Sequence, residues 1–168
     1  MDRIGEPVEA SVDLKPGDAS KRFSMHAFGA VFSEVAVDPD LCETRVRRIV
    51  GAYGAGRIVN PKTSRSQRIG GMIGEIGMAL MEHSVVDPRN GRVTNANFAE
   101  YAVPVHADAP AIMDVTFVEE HDPHVNPLGV KGLGEIAIVG VAAAIGNAVF
   151  HATGKRVREL PITPDKLL

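Results

Sequence analysis

Asn126-Pro127-Leu128-Gly129-Val130-Lys131-Gly132-Leu133-Gly134-Glu135, running into the small-residue stretch 136–149, is the segment around which this chain reads as organised. It joins a glycine-rich turn, one carboxylate at the end of that turn, and an Ala/Gly/Ile run behind it. Glycine permits positive φ and lets the backbone come close to a ligand, so Gly129, Gly132 and Gly134 predict a loop that touches something large and flat. Glu135 is expected where a helix over residues 135–153 begins, with Gly154 as its stop. A carboxylate at a helix start is favoured in its ionised form, the state a general base needs. The same pattern suits an ordinary acidic first-turn residue behind a glycine loop.

A second helix is announced by Asn60, a good N-cap, and Pro61, suited to the first helical position. Ile69, Met72, Ile73, Ile76 and Leu80 continue it as one apolar stripe. Gly70, Gly71, Gly74 and Gly77 each cost about 1 kcal/mol against alanine inside a helix, which predicts something packed very close to its backbone. Met72, Met78 and Met81 read as core. Before this helix, residues 24–38 and 43–52 alternate as two strands, the first partly buried on both faces. Around the Asp38-Pro39-Asp40 turn they predict a hairpin with Cys42 near its tip. After it, Asp87-Pro88-Arg89-Asn90-Gly91 predicts a second hairpin, Phe98, Tyr101 and Val103 read as buried anchors, and residues 112–118 form another strand. The proline-rich end, residues 157–164, is expected along a surface. The fold class is therefore α+β, with antiparallel β-hairpins packed against two long glycine-rich helices. Residues 1–23 read as a linker or disordered lead-in and residues 24–168 as one domain.

A chain of 168 residues suffices for one sizeable core. A formal charge of -3, with no long Lys/Arg run, argues against nucleic acid as partner. The single cysteine, Cys42, excludes an internal disulfide and an iron–sulfur cluster held by this chain alone. No apolar run reaches membrane-spanning length, and residues 1–7 lack the pattern of a signal peptide. A soluble protein without its own export address is expected, cytoplasmic, or periplasmic through a partner.

Two places could carry chemistry. The helix start Asn60 to Thr63, with Arg57 and Lys62 beside it, suits a pyrophosphate or an ordinary capped helix equally. Gln67, one to two turns on, could bond a heterocycle or face water. His121-Asp122-Pro123-His124 has imidazoles three apart, but Pro123 breaks helical geometry and no further ligand lies nearby.

The motifs Ala55-Gly56-Arg57-Ile58-Val59-Asn60-Pro61, Gln67-Arg68-Ile69-Gly70-Gly71, the loop quoted at the outset, and the closing Arg156-Val157-Arg158-Glu159-Leu160-Pro161-Ile162-Thr163-Pro164 occur in one order. With them the chain, from about residue 23 onward, resembles the C-terminal part of the molybdenum-binding large subunit of the xanthine dehydrogenase and aldehyde oxidase family. Within that family it is most similar to bacterial three-subunit aldehyde oxidoreductases.

The resemblance implies molybdopterin cytosine dinucleotide with molybdenum as cofactor, the metal being held by the pterin and not by side chains. It places Glu135 on the family's catalytic glutamate, the general base for oxidative hydroxylation of an aldehyde or azaheterocycle. Lys131, Gly132, Leu133 and Gly134 match the loop that holds the cofactor by its backbone. Arg57, Ile58, Val59, Asn60, Pro61, Lys62, Thr63 and Gln67 match a second contact. The implied partners are the remainder of the molybdenum subunit and iron–sulfur and FAD subunits or domains. The family's subunit is several-fold longer, so turnover by these 168 residues alone is not expected. Gly74-Glu75 also stands where many relatives carry glutamine and glycine, and a carboxylate beside a cofactor is costly unless paired. Two other readings compete: a non-catalytic assembly module or remnant, and an independent nucleotide-binding domain using Lys62 and Lys131.

Overall fold

A computed structural model describes residues 9–13 and 17–168. The expected lead-in over residues 1–23 falls partly outside these; within it Ala19–Arg22 forms a one-turn helix, α1. The first hairpin is present: β1 (Phe28–Val37) pairs antiparallel with β2 (Thr44–Gly54). Its turn is held by the Asp38 carboxylate, which accepts from the backbone of Asp40 at 2.9 Å and Leu41 at 2.8 Å. Cys42 lies at the tip with φ 56°. β3 (Ile112–Phe117) joins β2 in parallel, giving the order β1-β2-β3. The α+β class holds, but the sheet is mixed. Two parallel neighbours need a crossover, and α2 (Pro61–Leu80) supplies it.

The second hairpin shrinks to an isolated bridge, Val86 to Val93. Its turn forms, with the Asp87 N–H donating to the Arg92 carbonyl at 2.8 Å. Both valines are exposed, so no buried face extends the pairing. The expected anchors there also change. Phe98 is almost fully exposed and Val103 exposed, while Tyr101 is half-buried and its hydroxyl donates to Glu82 at 2.9 Å.

α2 starts as its sequence predicts. Asn60 is extended, accepts from the Thr63 N–H at 3.2 Å through its side chain, and is followed by Pro61 in the first turn. The last helix, α3 (Val141–Thr153), begins six residues later than expected. Gly140 at φ 100° separates it from the turn that follows Glu135, and an L-residue run cannot stay helical through that conformation. α3 is shorter than α2 and alanine-rich, so only α2 is glycine-rich. Gly154, at φ 74°, stops α3 as expected.

α2 and α3 cover one face of the sheet. Met72, Ile76 and Ala79 of α2 meet Val141, Ile145 and Val149 of α3 over Val46, Ile49 and Tyr53 of β2. The α3 positions recur every four residues, the spacing of one buried stripe. Tyr53 lies in room left by two glycines: a Cβ at Gly29 would meet its ring at 2.5 Å and one at Gly51 at 2.6 Å. The fully buried Arg68 guanidinium stands 4.9 Å from that ring's centre. Its nitrogens have no hydrogen-bond partner among the described residues, so the aromatic face is what receives the charge. Of the methionines expected in the core, Met72 is fully buried, Met78 half-exposed and Met81 half-buried.

The proline-rich end does more than lie on a surface. Ile162 and Leu167 enter the core, and the Ile162 N–H donates to the Ala79 carbonyl at 2.7 Å. Proline removes helical hydrogen bonds without preventing its neighbours from burying side chains.

Glu75 is buried on α2, with its carboxylate near the backbone N–H of Ala142 in the first turn of α3. Gly140 has no side chain to cap that helix, and a carboxylate near its first turn suits the free N–H groups there. Burial raises the Glu75 pKa, the Ala142 N–H opposes that, and nearby Glu82 adds to it. A carboxyl whose pKa is raised by folding contributes least stability once pH exceeds both its values. Glu75→Gln keeps an acceptor for Ala142 without the charge. It is expected to raise the melting temperature near pH 7.5, a gain that fades as pH falls to the ordinary glutamate range of about 4.3. Thermal melts across that range check both the sign and the fading.

Candidate functional site

The two segments singled out by their motifs are knitted together. After β2, Gly56 adopts φ +63° and forms an isolated bridge with Val130. The Arg57 N–H donates to the Gly129 carbonyl at 2.7 Å, and the Lys131 N–H to Ala55 at 3.2 Å. On the other side the Asn126 side chain organises the turn, donating to the Val130 carbonyl at 2.7 Å and accepting from Leu128 at 3.1 Å and Val130 at 3.2 Å. Further on, the chain reaches α2 where Ala137 packs on Gly71, and a Cβ on that glycine would lie 3.1 Å from the alanine methyl. From Asn60 to Gly71 is roughly 16 Å of helix axis at 1.5 Å per residue. On the first two turns of α2, Lys62, Thr63 and Gln67 are exposed.

The α2 N-terminus is a well-capped one. Asn60 takes the N–H of Thr63 with its side chain and of Ser64 with its carbonyl, and Pro61 has none to offer. Lys62 keeps the one N–H of this turn that has no partner among the described residues, so an anion here would meet mainly the Arg57 and Lys62 side chains. Ile58 is half-buried and Val59 exposed.

The glycine loop offers more backbone. Among the described residues, the N–H groups of Gly132, Leu133 and Gly134 donate to no other group. A Cβ at Gly132 or Gly134 would meet nothing within 4 Å, and the same holds for Gly70 and Gly74 on α2. Of the four helical glycines, Gly71 and Gly77 are thus occupied by the chain itself, the latter by Pro104, and two face open space. That space belongs to a cleft of about 490 Å³ between the α2 glycines and Ile138, with Tyr101 and Glu82 also lining it. A larger cleft of about 700 Å³ lies beyond β3, lined by Arg57, Ile58 and residues 117–123 and 126–129.

Glu135 is exposed, and its carbonyl accepts from the Ile138 N–H at 3.0 Å. Because α3 begins at Val141, no helix start lies under its carboxylate, and the dipole argument made from the sequence does not apply to it. The His121 to His124 segment is used differently from a metal site. Asp122 accepts from the backbone of His124 at 2.9 Å, and the His124 ring stacks on Phe23 at 3.9 Å. Sequence reasoning missed Glu120 and Asp122, which face Lys131. Their signal was a run of four titratable residues, Glu119 to Asp122, set just before a glycine loop with one lysine, Lys131.

Residues 6–110 match the model of a molybdopterin cofactor-binding domain. The chain belongs to that family. It is 48% identical over 98% of its length to the aldehyde oxidoreductase molybdenum-binding subunit PaoC of Escherichia coli (strain K12). It is 41% identical over 84% of its length to the putative xanthine dehydrogenase molybdenum-binding subunit XdhA of the same organism. It spans 22% and 18% of those two proteins. Among solved structures, the aldehyde oxidoreductase from Desulfovibrio gigas matches 84% of this chain and 15% of its own, at a TM-score of 0.76 and 29% identity. The residues of this molybdopterin cofactor-binding domain fit such a group: a loop carries three N–H groups without a partner among the described residues, and α2 carries glycines whose Cβ space is empty. No helix among the described residues is long and apolar enough to cross a membrane.

Proposed function

We propose that this chain is the segment of a molybdenum hydroxylase that binds molybdopterin cytosine dinucleotide and supplies Glu135 as general base for oxidative hydroxylation of an aldehyde or azaheterocycle. Residues 24–168 form the cofactor-binding domain and residues 1–23 lead into it. The observation that supports the reading is the loop 132–134, whose three backbone N–H groups have no partner among the described residues and which runs into the exposed carboxylate of Glu135.

When bound, the cofactor supplies the two-electron redox chemistry. The N–H groups of Gly132, Leu133 and Gly134 hold it from one side, and Gln67, with both a donor and an acceptor, holds it from α2. The side chains of Arg57 and Lys62 face its anionic part, beside residues 58–63. Glu135, at the end of the loop, takes the proton from the attacking hydroxyl group. Its place next to the residues that fix the cofactor is what a general base requires.

The chain works inside a larger assembly with the remainder of the molybdenum-binding subunit and with iron–sulfur and FAD partners, in the cytoplasm, or in the periplasm when a partner carries the export signal. The sheet supports this. The face turned from α2 and α3 carries Phe28, Phe32 and Ile112 at 53%, 68% and 50% exposure, joined through Ala30, Val50 and Ala52. Glu34, Arg48 and Asp114 edge this apolar patch, and exposed aromatics of that kind suit a surface covered by a partner.

Purification of the tagged chain from its host, with molybdenum and cytidine nucleotide measured in the eluate, tests the reading. Metal, nucleotide and a large partner are expected together; a metal-free chain without partner overturns it.

A further inference from the structure

Lys131 is the obvious cation of the loop, and a lysine in a glycine-rich loop invites the role of phosphate ligand. Its surroundings argue otherwise. Its side chain is 4% exposed. The ammonium donates to the Glu120 carboxylate, lies 3.1 Å from Asp122 Oδ2, and reaches the His26 carbonyl at 3.3 Å. Two hydrogen bonds and one further carboxylate within 3.1 Å thus surround its three hydrogens. Glu120 does double duty, since its other oxygen accepts from the Gly56 N–H at 2.7 Å. Asp122 is held in turn by the N–H groups of His124 at 2.9 Å and Val125 at 3.2 Å.

We infer that Glu120 and Asp122 are positioning residues of the cofactor site: they lock Lys131 and Gly56 together, so that the lysine anchors the loop internally and leaves ligand binding to the loop backbone. This rests on the proposed cofactor role of the loop. One carboxylate thereby ties both halves of the site, the strand end that carries Arg57 and the loop that carries Gly132 to Gly134. Two carboxylates around one ammonium also leave the cluster net negative, an unsuitable landing place for a phosphate. The protonation equilibria agree with a closed cluster. The Lys131 hydrogen bond, then the Gly56 N–H, lowers the Glu120 pKa, and the Glu120 hydrogen bond raises that of Lys131.

The test compares the full chain with Glu120→Gln, reading amide hydrogen exchange at Gly56, Arg57 and Lys131 and the affinity for cytidine 5′-diphosphate. Were Lys131 a direct ligand, removing the Glu120 charge would free it and tighten nucleotide binding. With Lys131 as anchor, the same change loosens binding and speeds exchange at those amides by about tenfold, the scale of one lost charge-assisted hydrogen bond. Tighter binding, or unchanged exchange, overturns the inference. If the unsubstituted chain takes up no nucleotide, the cofactor reading fails and exchange alone decides the lock. Asp122→Asn, which retains an acceptor for His124 and Val125, gives the same readouts should Glu120→Gln not fold.

Discussion

Replacing Glu135 by glutamine is expected to cut turnover of the assembled oxidoreductase by about 10²–10⁴-fold, the range contributed by a positioned general base. The amide matches the carboxylate in size but cannot take a proton at neutral pH. Glu135 is exposed, and among the described residues its side chain makes no hydrogen bond or ion pair, so the substitution disturbs no internal contact. Molybdenum and nucleotide content should therefore stay near the wild-type level while kcat falls. That combination separates a base from a structural residue, since loss of a structural residue would empty the site as well. Turnover retained in a fully loaded Glu135→Gln enzyme would remove Glu135 from the chemistry.

Gly56→Ala is expected to destabilise the fold by about 3 kcal/mol, from a left-handed backbone and an overpacked contact together. For a chain of this size that is roughly 6–12 °C of melting temperature. The added Cβ would stand 2.2 Å from the Gly129 carbonyl oxygen, a backbone atom that cannot turn aside. Gly91 separates the two contributions. It has φ +72° and nothing within 4 Å of where a Cβ would go, so Gly91→Ala carries the strain without the clash and should cost about 1 kcal/mol. Equal losses at the two positions would show that Gly56 does not bring the Arg57 segment against the loop. A larger loss at Gly56 should be accompanied by faster amide exchange at Arg57, whose N–H is bonded to Gly129.

Much of the site can be read along the chain because its signals are local. Asn60 and Pro61 start α2 through one side-chain bond and one fixed φ, both properties of adjacent residues. The β1–β2 hairpin follows from alternation and from an aspartate that bonds its own turn. The start of α3 could not be read the same way. Residues 136–140 are as apolar as the helix behind them, and what separates the two is the positive φ of Gly140. A glycine permits that conformation without demanding it. Phe98 and Ile162 show the same limit from opposite sides. An aromatic expected as an anchor is exposed, and an isoleucine from a proline-rich end is in the core, because burial depends on which surfaces meet.

The sequence alone is enough for the family, the capped start of α2 and the glycine loop with its terminal carboxylate, since each rests on residue types at short, fixed separations. Folding adds what depends on distant groups meeting: Glu120 and Asp122 closing on Lys131, Glu75 placed near the start of α3, and the Arg57 and Lys131 segments sharing hydrogen bonds. Glu120 is 64 residues from its backbone partner at Gly56. No periodicity or motif spans that distance; the crossover through α2 and the parallel return of β3 bring the two ends of the site together.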